Sequence, residues 1–124
     1  MIRVLVVEDN PDVQVLLEDL LDTYPWDFNV EITDQGAKAI EMARANPPDL
    51  VLLDVQLADK VSGFDVANEI RVNPNTSHAK ILMLSALDAP VHEHTGLKAG
   101  ADNYITKPIQ NRILLSALAD LLDT

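Results

Sequence analysis

Runs of four apolar side chains, all drawn from Val, Leu, Ile and Met, recur at Val4–Val7, Leu50–Leu53 and Ile81–Leu84. A run this short with no polar position has no solvent-facing side. Each therefore predicts a strand buried on both faces, as in a parallel sheet. Between these runs the spacing becomes helical. Asn10 offers an N-cap and Pro11 a first helical residue. Val13, Leu16, Leu17, Leu20 and Leu21 then form one apolar stripe, which stops at Tyr24-Pro25. Residues 29–32 alternate polar and apolar and predict an edge strand. Residues 36–45 predict an alanine-rich helix, ended by Asn46-Pro47-Pro48. After the run that closes at Asp54, a loop with Asp59, Ser62 and Gly63 leads into a helix over 64–72, broken by Asn73-Pro74-Asn75. A helix over 88–98 stops at Gly100, and Tyr104-Ile105 marks a short fifth strand. The last helix carries Ile109, Ile113, Leu114, Ala117, Leu118 and Leu121 on one face.

Strand and helix thus alternate five times, which implies right-handed crossovers and a sheet covered on both sides. The expected fold is α/β: a five-stranded, doubly wound, parallel sheet of the flavodoxin-like type with strand order 2-1-3-4-5. The length of 124 residues suits one domain over 1–124, and 48% apolar residues suffice for a core. Nine basic against 20 acidic residues give a net charge of -11, the opposite of a nucleic-acid-binding footprint. The chain has no cysteine, which removes disulfide and thiol chemistry and fits a reducing compartment. The opening apolar run is too short for a signal peptide or membrane span, so a cytoplasmic domain without membrane contact is expected.

Sites in such a sheet form beyond the carboxyl ends of the strands. The first strand delivers Glu8 and Asp9 there, the third Asp54, the fourth Ser85 and the fifth Lys107. Any one of these is an ordinary cap, turn or surface residue; their joint position at one edge is not. Three carboxylates at one edge repel each other unless a cation sits among them. Magnesium, which takes oxygen ligands and uses one or two carboxylates, fits that demand. An aspartate can also act as a nucleophile toward phosphorus, with lysine and metal neutralising charge.

The segments VLVVEDN (4–10), PDLVLLDVQL (48–57), ILMLSAL (81–87) and GADNYITKPI (100–109) resemble the receiver domain of two-component response regulators, over essentially the whole chain. The resemblance implies that Asp54 is the phosphoacceptor. It implies that Mg2+ is held by Asp9, Asp54 and the backbone carbonyl of Gln56, with Glu8 acting partly through water. Ser85 would contact the phosphoryl group, Lys107 would pair with its oxygen, and Tyr104 would be the switch aromatic. The Lys107–Pro108 bond is expected to be cis, a state that costs little only before proline. Gln56 and Leu87 would flank the phosphoryl group. The implied donor is a sensor histidine kinase or a histidine phosphotransfer protein. The implied receiver of the signal is a downstream protein or fused output domain. It would read the face made by the fourth helix, fifth strand and fifth helix, through which a homodimer could also form.

The chain departs from the family pattern in three places. Position 8 is Glu, position 85 is Ser where Thr is common, and the loop after Asp54 has Ala58 in place of the usual proline and is one residue longer before Gly63. An aspartyl-nucleophile phosphatase would need an Asp two residues beyond Asp54, where Gln56 stands. An interaction module without phosphorylation would be expected to lack one of the key residues, and none is lacking. His78, His92 and His94 read as surface residues, and Trp26 as a packing residue at the end of the first helix.

Overall fold

The computed structural model describes residues 2–86 and 90–122. Along them run β1 (Ile2–Val7), α1 (Pro11–Thr23), β2 (Phe28–Thr33), α2 (Gly36–Ala45), β3 (Leu50–Asp54), α3 (Gly63–Val72), β4 (Lys80–Ser85), α4 (Pro90–Ala99), β5 (Asn103–Thr106) and α5 (Asn111–Leu122). The sheet is parallel throughout, in the order β2-β1-β3-β4-β5. This is the fold class that the alternation predicts.

The period-two geometry of the strands divides the core into two layers. Val4, Val6, Leu50, Leu52, Leu82 and Leu84 point to one face, where Leu17, Leu20 and Leu21 of α1 and Leu114, Ala117 and Leu118 of α5 cover them. Leu5, Val7, Val51, Leu53, Ile81 and Met83 point to the other, beneath Ala39 and Ala43 of α2 and Val66, Ala67 and Ile70 of α3. Both sides of the central strands are therefore buried, which is why their sequences contain no polar position.

Helix starts follow their side-chain chemistry. Asn10 accepts a 2.9 Å hydrogen bond from the Asp12 amide and caps α1. Ser62 and Asp65 form a reciprocal capping box, which starts α3 one residue before the predicted position. The final helix differs more from expectation. It begins at Asn111, so Ile109 lies in the connection before it, packed against the core. Ile113 is 43% exposed, because the helix is turned so that Leu114, Ala117 and Leu118 face the sheet and Ile113 lies outside that buried arc. Residues 88 and 89, the predicted start of the fourth helix, lie outside the described residues.

Candidate functional site

β1, β3, β4 and β5 end at the same edge of the sheet, and the polar residues gather there. The register β1–β3 aligns Val7 with Leu53, so Glu8 and Asp54 leave their strands side by side. The register β4–β5 aligns Ser85 with Thr106, and the Lys107 amide donates to the Ser85 carbonyl at 2.8 Å. Lys107 is thereby carried to the mouth of the sheet. Its Nζ lies 2.7 Å from Glu8 Oε1 and 3.0 Å from Asp54 Oδ2. One carboxylate oxygen from each of Glu8, Asp9 and Asp54 lies within 4.8 Å of the others.

Glu8, Asp54 and Ser85 are buried, whereas Asp9 faces solvent. Asp54 Oδ1 accepts from the Gln56 amide at 3.3 Å, and Oδ2 accepts from Lys107. Glu8 Oε2 accepts from the Asn10 amide at 3.1 Å, and the Glu8 carbonyl accepts from the Gln14 side chain at 2.7 Å. Glu8 Oε1 is paired with Lys107 by charge and has no further partner among the described residues. Burial pushes the Glu8 carboxyl up to about 7; the Lys107 contact opposes this, and Asp54 beside it adds to it. Burial also disfavours the charge on Lys107. The Glu8 and Asp54 carboxylates outweigh it and hold the ammonium above its ordinary range.

The Lys107–Pro108 peptide bond is cis. Tyr104 is 9% exposed and belongs to the core layer that contains Met83. Gln56 is exposed in the loop after β3, and Leu87 lies outside the described residues. His78 and His94 are exposed. Trp26 packs edge-on against Tyr24, with ring centroids 5.3 Å apart, at the opposite edge of the sheet from the carboxylates.

Two residues to which the sequence assigned no role hold the surroundings of this edge. Gln14 fixes the Glu8 backbone, and Asp59 caps a helix distant in sequence. The signal for Asp59 was indirect: Gln35, at the N-cap of α2, makes no capping bond with its side chain. A helix start without Ser, Thr, Asp or Asn leaves amides to be satisfied from elsewhere.

The family model for the response regulator receiver domain matches residues 4–119. The chain belongs to this family. It is 36% identical over 121 residues to the transcriptional regulatory protein TrcR of Mycobacterium tuberculosis, covering 98% of this chain and 45% of that one. It is 32% identical to the response regulator PleD of Caulobacter vibrioides, covering 96% of this chain and 26% of that protein. The chain spans half or less of the length of eight of the curated relatives it matches, these two among them. Among solved structures, the receiver domain of sensor histidine kinase PA1611 from Pseudomonas aeruginosa PAO1 superposes with a TM-score of 0.87 at 27% identity, covering 99% and 98% of the two chains. That structure has a magnesium ion coordinated in its active-site cleft. This receiver domain is thus a module of two-component signalling, and the described residues include no helix long and apolar enough to cross a membrane.

Proposed function

We propose that this receiver domain accepts a phosphoryl group on Asp54 from a phosphohistidine donor, in the presence of Mg2+. The observation that carries the reading is the cluster itself: three carboxylates within 4.8 Å of one another, two of them sharing the Lys107 ammonium. The residues fit a divalent cation. They supply oxygen donors only, and the buried Glu8 Oε1 lacks a hydrogen bond among the described residues. Asp9, Asp54 and the Gln56 carbonyl would hold the ion, with Glu8 acting partly through water. Bound there, the cation would neutralise charge on the phosphoryl oxygens.

The chain's own residues account for the remaining requirements. An Asp54 carboxylate oxygen attacks phosphorus, and the P–N bond to the donor imidazole breaks with its electron pair returning to nitrogen. Lys107 already lies 3.0 Å from Asp54 and offsets charge at the acceptor. The Ser85 hydroxyl contacts the new phosphoryl group. In this reading the domain assists its own phosphorylation and dephosphorylation and is not a turnover enzyme. Output would pass through Ser85 and Tyr104 to the α4-β5-α5 face. That surface has a groove of about 430 Å3 bordered by Tyr104, Ile105, Arg112 and Ile113, and Leu97 and Ile113 are exposed on it. A downstream protein, a fused output domain or a second copy would read the change.

Incubation with acetyl phosphate and magnesium, followed by intact mass and Phos-tag gels, tests the assignment. One labile phosphoryl group is expected, absent in Asp54→Asn and after chelation. Label that persists in Asp54→Asn and does not map to Ser85 would sink it. With beryllofluoride on the same protein, NMR shifts should spread from Asp54 through residues 86–110 and contract in Ser85→Ala. Shifts confined to the neighbourhood of Asp54 in the wild type would remove the switch route.

A further inference from the structure

The loop 55–62 that follows Asp54 contains neither proline nor glycine, so no residue in it prescribes a backbone turn. Its shape must come from its contacts, and these lead to α2. The two carboxylate oxygens of Asp59 accept from the first two amides of that helix, Gly36 at 2.8 Å and Ala37 at 2.9 Å. The Ala58 amide donates to the Asp34 carbonyl at 2.9 Å. A Cβ at Gly36 would stand 2.5 Å from the Val61 carbonyl oxygen, so the helix start presses directly on the loop.

The other flank of the loop is equally close to the acceptor. The Gly63 amide donates to the Val55 carbonyl at 2.8 Å, and a Cβ at Gly63 would collide with the Asp54 carbonyl oxygen. Residues 55–62 are thus clamped between the backbone of Asp54 and the amino end of α2. Gln56, whose carbonyl is the proposed metal ligand, lies between these two fixed points.

From this geometry we infer that Asp59 is a positioning residue for the metal-binding loop, holding the Gln56 carbonyl in place through the amino end of α2. The inference rests on the proposed metal site. Asp59 touches neither the cation nor the phosphoryl group; it acts through the backbone between 56 and 59. Aspartate is suited to the task because it is short and can accept two bonds. It also places negative charge at a helix amino end, where the macrodipole favours it. Its carboxyl lies below the usual aspartate range, chiefly because of the Ala37 and Gly36 amides, which agrees with that role. The connection also runs outward. A ligand on the Gln56 carbonyl should be felt at the first turn of α2, on the side of the sheet remote from β5.

Magnesium titration followed by amide NMR tests this without any phosphorylation step. In the wild type the Gln56 amide and the Gly36 and Ala37 amides should move with one common midpoint. In Asp59→Ala the midpoint at Gln56 should rise roughly three- to tenfold, below the larger losses seen when direct supports of metal ligands are removed. The Gly36 and Ala37 amides should cease to respond. Asp59→Asn keeps one acceptor and should fall between the two, which preserves the test if Asp59→Ala does not fold. Unchanged magnesium affinity in either folded variant, or silent Gly36 and Ala37 amides in the wild type, overturns the inference. A wild type that shows no magnesium response at Asp54 or Gln56 overturns the metal site itself, and the role of Asp59 with it.

Discussion

Two cations organise the two edges of the same sheet, and they do so in opposite ways. At the amino edge the Arg71 guanidinium meets the Gly100 carbonyl at 2.8 Å, the Ser77 carbonyl at 2.8 Å, the Ala79 carbonyl, and Asp102 at 2.6 Å. Asp102 in turn accepts from the Ile81 amide at 2.7 Å. Here one cation faces one carboxylate and three carbonyls in a planar fork that matches them. At the carboxyl edge one ammonium faces Glu8 and Asp54, with Asp9 close by, and Glu8 Oε1 has that ammonium as its one partner among the described residues. The first cluster is complete as it stands and fixes the ends of α3, β4 and β5. The second has more carboxylates than cations among the described residues, an imbalance that the proposed cation would relieve. Such imbalance is more common at functional sites than in structural ion-pair clusters.

The contrast predicts opposite responses to mutation. Arg71→Ala should cost about 2–3 kcal/mol in urea denaturation, because it leaves partly buried carbonyls without their donor and Asp102 without its charge partner, while the proposed labelling of Asp54 below the melting range continues. Arg71→Lys should recover less than half of that loss, since an ammonium cannot reproduce the fork. A cost under about 0.5 kcal/mol would mean that the amino edge is not the structural one.

At the carboxyl edge the sign should reverse. Asp54→Asn removes the proposed phosphoacceptor, yet in magnesium-free buffer at pH 8 it should leave stability unchanged or raise it by about 1 kcal/mol. Lys107 keeps Glu8 as partner at 2.7 Å, and one of two crowded carboxylates has lost its charge. A clear loss of stability in that variant would show that the Lys107–Asp54 pair outweighs the repulsion.

The smallest effect concerns acid. Asp59 has a carboxyl held below its ordinary 3.8 by the Ala37 and Gly36 amides. A group depressed in the folded state stabilises above its unfolded value, and that stability is lost as pH falls through the folded one. Urea midpoints followed from pH 5 to pH 2.5 should therefore fall less steeply in Asp59→Asn than in the wild type. Parallel profiles would mean that the capping contact contributes nothing in solution.

Most of the fold was legible in the sequence, and so was the list of candidate site residues. Apolar runs of four residues between helical segments suit strands buried on both faces. Asn10-Pro11 and Asn46-Pro47-Pro48 bracket helices because cap and proline chemistry act within a few residues. Placing Glu8, Asp54, Ser85 and Lys107 at one edge required only that parallel strands end on the same side. Other features were not legible. Ile113 shares the apolar spacing of the last helix, yet exposure depends on how far that helix is rotated against β4 and β5, which no local pattern states. Asp59 looked like a loop residue because its acceptors' partners are 22 and 23 positions away. Arg71 carried no signal, since three of its four acceptors are backbone carbonyls, which every residue has. The sequence by itself determined which segments become strands and helices and which side chains each strand end delivers, because those properties depend on near neighbours. Only the tertiary structure decided that Lys107, 53 residues from Asp54, is shared between that residue and Glu8, and that a loop carboxylate caps a distant helix. Such pairings depend on strand order and on the crossover connections, which bring together donors and acceptors that are remote along the chain.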